Sequence, residues 1–84
     1  MSVELLKTLR VDQIVDAREM PCPRPLLEAK KAIGMVPMGG IIEVISSDIG
    51  TTLDIPAWAY KVGHQYLGMV TESGTWKLFV RRNK

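Results

Sequence analysis
Apolar residues recur with a period of two in some stretches of the chain and near 3.6 in others, and this alternation predicts an order of elements. "VDQIVDA", residues 11–17, reads as a strand centred on Ile14 and Val15. From Pro23 the period lengthens. Leu26, Ala29, Ile33 and Val36 fall on one helical face, and Arg24, Glu28 and Lys31 on the other. Gly34, Pro37, Gly39 and Gly40 close that helix. "IIEVIS", 41–46, is a nearly continuous apolar run, as in a strand covered by helices. Ile55, Trp58, Ala59 and Val62 then match a second helix. Asp54 is its expected N-cap, Pro56 lies in its first turn and Gly63 at its end, with a separate short turn over Ile49–Leu53. "QYLGMVTE" and "TWKLFVRR" read as a hairpin about Ser73-Gly74. Trp76, Leu78 and Val80 share one face of the last strand, and Lys77, Phe79 and Arg81 the other. Leu5, Leu6 and Leu9 form a short lead-in that packs on the core.

The order βαβαββ predicts an α+β fold: a two-layer sandwich with a mixed four-stranded sheet. Right-handed crossovers put both helices on one face. At 84 residues the chain makes a single domain, 1–84, with a small core and chemistry at its surface. No repeat, linker or low-complexity segment interrupts it.

Composition narrows the function. Charged residues are 24% and the net charge is +2, too mild to imply nucleic acid. Arg81, Arg82 and Lys84 read as a solvated tail beside the last strand. No apolar run reaches the roughly 18 residues of a membrane span. No signal-peptide pattern is visible either, so a cytoplasmic protein is expected. The single cysteine, Cys22, cannot form an internal disulfide, which fits a reducing compartment.

Cys22 stands in "MPCPRP", among Pro21, Pro23 and Pro25. The predicted topology puts it between the first strand and the first helix, at the carboxyl edge of the sheet. Open α/β sheets usually place ligands at that edge. Ser46, Ser47 and Asp48 leave the second strand at the same edge, and a parallel third strand returns Glu72 and Ser73 there. Cys22, Asp48, Asp54 and that hairpin are expected to be neighbours. A helix N-terminus favours the thiolate, with Arg24 as a nearby cation, while the Glu19 carboxylate opposes it. Arg18, Arg24, Lys30 and Lys31 read equally well as a basic patch beside the thiol and as a solvated helix face. Met20, Met35 and Met38 flank the helix. Gap-filling in the core is the commoner role for such residues, and adaptable docking the alternative. His64, the only histidine, follows the second helix and belongs at the opposite edge, as a turn residue and not a base. A metal site needs more soft ligands than Cys22 alone, so no metal is expected. A thiolate without base, metal or resolving cysteine can still attack sulfur and carry it.

"DAREMPCPRPLLEAKKAI" and "SDIGTTLDIPAWAYKVGHQY" resemble the TusA/SirA family of sulfur carriers, whose mark is Cys-Pro-x-Pro, here Cys22-Pro23-Arg24-Pro25. The similarity spans roughly residues 11 to 82. It implies a two-layer sandwich and a cysteine that takes up sulfur as a persulfide, with no other cofactor. It further implies a cysteine desulfurase or rhodanese-like donor and an acceptor of the DsrE-like relay, serving tRNA thiolation or dissimilatory sulfur metabolism. Two residues depart from the family pattern. Where the family has glycine, Glu19 follows Arg18, and glutamate resists a left-handed turn, so the loop is expected to differ. Where it often has arginine before Asp-Ile-Pro, Leu53 stands, so that cation is not available to Asp54. The competing reading is a regulatory or RNA-binding module using the basic residues. Aromatic residues are only 6%, and no RNA-motif signature supports it.

Overall fold
The computed structural model describes Leu6, residues 9–21 and residues 24–84. Its elements are β1 (Gln13–Ala17), α1 (Arg24–Ile33), β2 (Ile41–Ser46), α2 (Thr51–Val62), β3 (Gln65–Glu72) and β4 (Thr75–Arg81). The four strands form one sheet in the order β1-β2-β4-β3. β1 and β2 are parallel, and β4 is antiparallel to both β2 and β3. β3 therefore runs with β1 and β2, and the sheet is the mixed one that the sequence predicts.

Both helices cover one face. Ala29, Ala32 and Ile33 of α1 and Ile55, Trp58 and Ala59 of α2 meet Ile42, Val44, Leu78 and Val80 of the two central strands. Each fully buried isoleucine, valine or leucine among them contributes about 1.5–3 kcal/mol. Val36, expected on α1, lies just past its end and is buried in the same core. The other face carries a second cluster, Leu6, Ile41, Leu67, Val70 and Phe79, with Leu9 packed against it. This is where the expected lead-in docks; Leu5 lies outside the described residues. The two faces compete for alternate residues of β3, and a bulge between Tyr66 and Gly68 resolves the conflict. It shifts the phase by one, so Tyr66 and Met69 face the helices while Leu67 and Val70 face Leu6. A Cβ at Gly68 would stand 3.1 Å from a Leu6 methyl. That close approach, with φ at 138°, accounts for glycine inside the strand.

The second helix begins earlier than its pattern predicts. It starts at Thr51 after Gly50, with no side-chain cap, so Asp54 is not the N-cap but a first-turn residue. The expected separate turn at Ile49–Leu53 merges into the helix, and Pro56 stands inside it. Buried polar bonding replaces the cap. The Ser46 and Thr51 hydroxyls bond at 2.8 Å, the Asp48 N–H donates to Ser46 Oγ, and the Gly50 N–H donates to Asp48 Oδ1. A 12-residue helix spans about 18 Å. It carries the chain to Gly63, at φ 91°, and to His64 at the opposite edge of the sheet.

The exit from β1 is the sharpest corner. The Met20 N–H donates to the Ala17 carbonyl at 3.2 Å, closing a turn with Arg18 and Glu19 at its centre. Glu19 sits at φ 66°, the one non-glycine with positive φ among the described residues. Negative φ at Arg18 followed by positive φ at Glu19 is the sign pattern of a type II turn, whose third position favours glycine. Glutamate here takes a left-handed conformation that glycine adopts more easily, and its N–H is held by Ser47 Oγ at 2.8 Å.

Replacing Glu19 by glycine relieves a left-handed L-residue, which costs about 1–2 kcal/mol. It returns part of that as chain entropy, roughly 0.5–1 kcal/mol. Glu19→Gly should therefore raise the unfolding free energy by about 0.5–1 kcal/mol in urea titration. A lower midpoint would contradict a strained Glu19.

His64 supplies a pH dependence. Burial, with Arg82 and Lys84 nearby, holds its pKa below the usual 6.5. Its Nδ1 accepts from the Asn83 N–H at 3.2 Å, and its ring meets Trp58 edge-on at 5.6 Å. Because the unfolded chain takes the proton more readily, the stabilisation is complete above pH 6.5 and is lost as the pH falls below it. Urea midpoints should decline from about pH 7 to about pH 5, and His64→Asn should flatten the decline.

Candidate functional site
The carboxyl ends of β1 and β2 and the β3–β4 hairpin meet at one edge, because β1, β2 and β3 run the same way. Two open concavities adjoin there and share Glu19 and Ser47. One, of about 520 Å³, is completed by Asp16, Arg18 and Thr75. The other, of about 540 Å³, is completed by Met20, Pro21, Asp48, Ile49 and Trp76. Pro21 leads directly into Cys22-Pro23. The Arg24 N–H donates to the Pro21 carbonyl at 2.9 Å, which fixes the chain on both sides of that pair. Cys22 and Pro23 themselves lie outside the described residues. Pro25 is buried in the first turn of α1. Its ring is compatible with that place because first-turn N–H groups have no internal acceptor.

The residues singled out from the sequence divide between two places. Arg18, Glu19, Met20 and Asp48 line the paired concavities, together with Pro21. Asp54 does not. It lines a groove between the helices with Leu26, Lys30, Trp58 and Lys61, because α2 begins one turn earlier than expected.

Of the four cations that read equally well as a basic patch and as a solvated helix face, two are paired with carboxylates. Arg18 grips Asp16 with two side-chain bonds, Nε to Oδ1 at 2.9 Å and Nη2 to Oδ2 at 2.6 Å. Those bonds hold the Asp16 carboxyl at a pKa of about 2. Arg24 pairs with Glu28 at 3.3 Å, across one helical turn. Lys30 faces the groove that holds Asp54, and Lys31 lies on the far side of α1, beside β1. Arg18, Arg24, Lys30 and Lys31 therefore do not form one continuous cationic patch. Met35 and Met38 correct a second expectation. They are 70% and 66% exposed, so they do not fill the core. Met20 is half-buried between the concavity and α1.

Sequence reasoning placed Ser47 at this edge but missed Asp16, Ile49, Thr75 and Trp76. Ile49 and Leu53 are both exposed apolar residues at helical spacing. That spacing was the available signal, obscured by reading 49–53 as a turn. Trp76, near the start of β4, pairs with Ser46 at the end of β2, which sets the indole beside Pro21 and Ile49. Among the described residues no group of three or more His, Cys, Asp or Glu side chains is placed to hold a metal ion. No described helix is long and apolar enough to cross a membrane.

Comparison with known proteins agrees with this arrangement. The family described as Sulfurtransferase TusA matches residues 13–82. A protein of Archaeoglobus fulgidus, provisionally named a sulfur carrier protein, is 39% identical over 71 residues, 84% of this chain and 97% of its own. The sulfur carrier protein TusA of Pseudomonas entomophila is 34% identical over 71 residues, covering 84% of this chain and 89% of its own. The crystal structure of a SirA-like protein from Desulfitobacterium hafniense superposes with a TM-score of 0.76 at 22% identity. It covers 86% of this chain and 99% of that one, and so shares the fold. The match extends from the start of β1 past the end of β4, and with it the chain belongs to the TusA family of sulfurtransferases.

Proposed function
We propose that this protein is a sulfur carrier that accepts sulfane sulfur on Cys22 as a persulfide and passes it to a thiol of an acceptor protein. The observation that carries the reading is family membership together with Cys22-Pro23-Arg24-Pro25 at the junction of β1 and α1. An open edge supports it: the concavities beside Pro21 are broad and shallow, suited to another protein's surface rather than to an enclosed small substrate.

The chemistry needs few groups. In uptake, the Cys22 thiolate attacks the outer sulfur of a donor persulfide, and the donor thiolate leaves. In delivery, an acceptor thiolate attacks the outer sulfur on Cys22. A new S–S bond forms from the acceptor's electron pair, the old S–S pair leaves on Cys22 sulfur, and no external oxidant or reductant is consumed. The donor is a cysteine desulfurase or rhodanese-like protein, and the acceptor a member of a DsrE-like relay. The product serves tRNA thiolation or dissimilatory sulfur metabolism in the cytoplasm.

Intact-protein mass spectrometry tests this directly. Incubation with a sulfane-sulfur donor should add the mass of one sulfur atom, which a thiol reductant removes. Cys22→Ser should prevent loading while keeping the circular dichroism of the parent. Full function in Cys22→Ser would instead favour a non-covalent regulatory module. His64, at the opposite edge, should be dispensable, so His64→Ala should keep sulfur transfer within about tenfold of the parent. A larger loss in a folded variant would make the histidine part of the site.

A further inference from the structure
One residue at the carrier edge keeps a charged side chain on a strained backbone. Glu19 is at φ 66°, in the region that glycine enters without steric cost. The turn needs only that conformation and the Glu19 N–H, which Ser47 Oγ accepts at 2.8 Å. The carboxylate adds nothing to the turn. Strained positions of this kind cluster at functional sites.

The place of the carboxylate says what it can do. Glu19 and Ser47 are the residues common to the two concavities, so the charge stands where the concavities adjoin. Most other charges of this edge are paired. Asp16 holds Arg18 at 2.6 Å, Glu28 holds Arg24 at 3.3 Å, and Glu72 holds Lys77 at 3.3 Å. Among the described residues the Glu19 carboxylate enters no ion pair. Asp48 adds a second negative charge to the concavity beside Pro21, with its Oδ1 accepting the Gly50 N–H. The chain's net charge of +2 conceals this polarity, because Lys61, Arg81, Arg82 and Lys84 gather at the far ends of α2 and β4.

Cys22 follows Glu19 by three residues, so their Cα atoms are at most about 11 Å apart. At about 0.01 M salt the screening length is about 30 Å, and the charge reaches whatever approaches the thiol. Near 1 M it is about 3 Å, and the charge is screened out.

We infer that Glu19 is a specificity-determining residue of the carrier site: its carboxylate disfavours anionic thiols and persulfides as sulfur partners of Cys22 and admits neutral or cationic ones. The inference rests on the carrier reading for the sulfur, but the selection by charge can be tested without it. The exchange itself consumes no oxidant or reductant. An incoming thiolate forms the new S–S bond, and the old pair leaves on the Cys22 sulfur.

Iodoacetamide and iodoacetate are probes of similar size that differ by one negative charge. Both lose iodide to the same Cys22 thiolate, so the ratio of their rates does not depend on how readily the thiol ionises. At low salt, Glu19→Gln should raise the iodoacetate rate relative to iodoacetamide by about two- to fivefold over the parent. About 1 M salt should erase that difference. Glu19→Asp keeps the charge in a residue that tolerates left-handed backbone, and should keep the parent's ratio. A ratio that Glu19→Gln leaves unchanged overturns the proposal, and so does a difference that salt does not reduce. An equal change in Glu19→Asp would assign the effect to shape and overturn it too. In the sulfur arm, protein loaded at Cys22 delivers to cysteamine, a cation, or to 3-mercaptopropionate, an anion. Glu19→Gln should shift delivery toward 3-mercaptopropionate by about the same two- to fivefold, and an unshifted ratio overturns the proposal. A shifted alkylation ratio with a Cys22 that cannot be loaded would retain Glu19 as a charge filter on the thiol and reject the carrier reading.

Discussion
The constraint on which the site depends is the corner at the end of β1. A strand must stop at Ala17 and a helix must begin at Arg24, within six intervening residues. A left-handed residue makes the reversal, and the hydrogen bond from the Glu19 N–H to Ser47 ties it to the end of β2. Ser47 is itself placed by the buried Ser46–Thr51 bond beneath it. One strained backbone position and one hydroxyl thus hold the loop that delivers Pro21 to the sheet edge. Strain of this kind persists where its surroundings over-determine it. Here the parallel pairing of β1 with β2 supplies the surroundings.

Electrostatics around that corner are local. Arg18 is committed to Asp16 and Arg24 to Glu28, so the two arginines nearest the motif do not add to one cationic field. Exposed pairs of this type contribute little stability. The concavities themselves carry Asp16, Glu19 and Asp48 against Arg18, a polar and acidic rim around apolar Ile49, Met20 and Trp76. Such a rim suits protein partners that meet and separate, because it limits non-specific adhesion while leaving an apolar centre to dock.

The sequence determined the element order, the mixed sheet and the two faces of β4, because these follow from hydrophobic period and from the handedness of crossovers. It also singled out Cys22, since three prolines around a lone thiol are informative without coordinates. It did not determine where α2 begins: the Asp54-Ile-Pro pattern imitates a start signal, while the true start depends on Ser46, Asp48 and Thr51 bonding across the loop that follows β2. Nor did it determine the bulge at Gly68, which exists because Leu6, distant in sequence, occupies the other face of the sheet. The conformation of Glu19 was likewise undecided. Local propensity opposes positive φ at glutamate, and only the pairing of β1 with β2, which brings Ser47 beneath its N–H, imposes it. Period and topology are local or combinatorial and can be read along a chain. Ion pairs, bulges and strained turns are set by residues that meet only after the chain has folded.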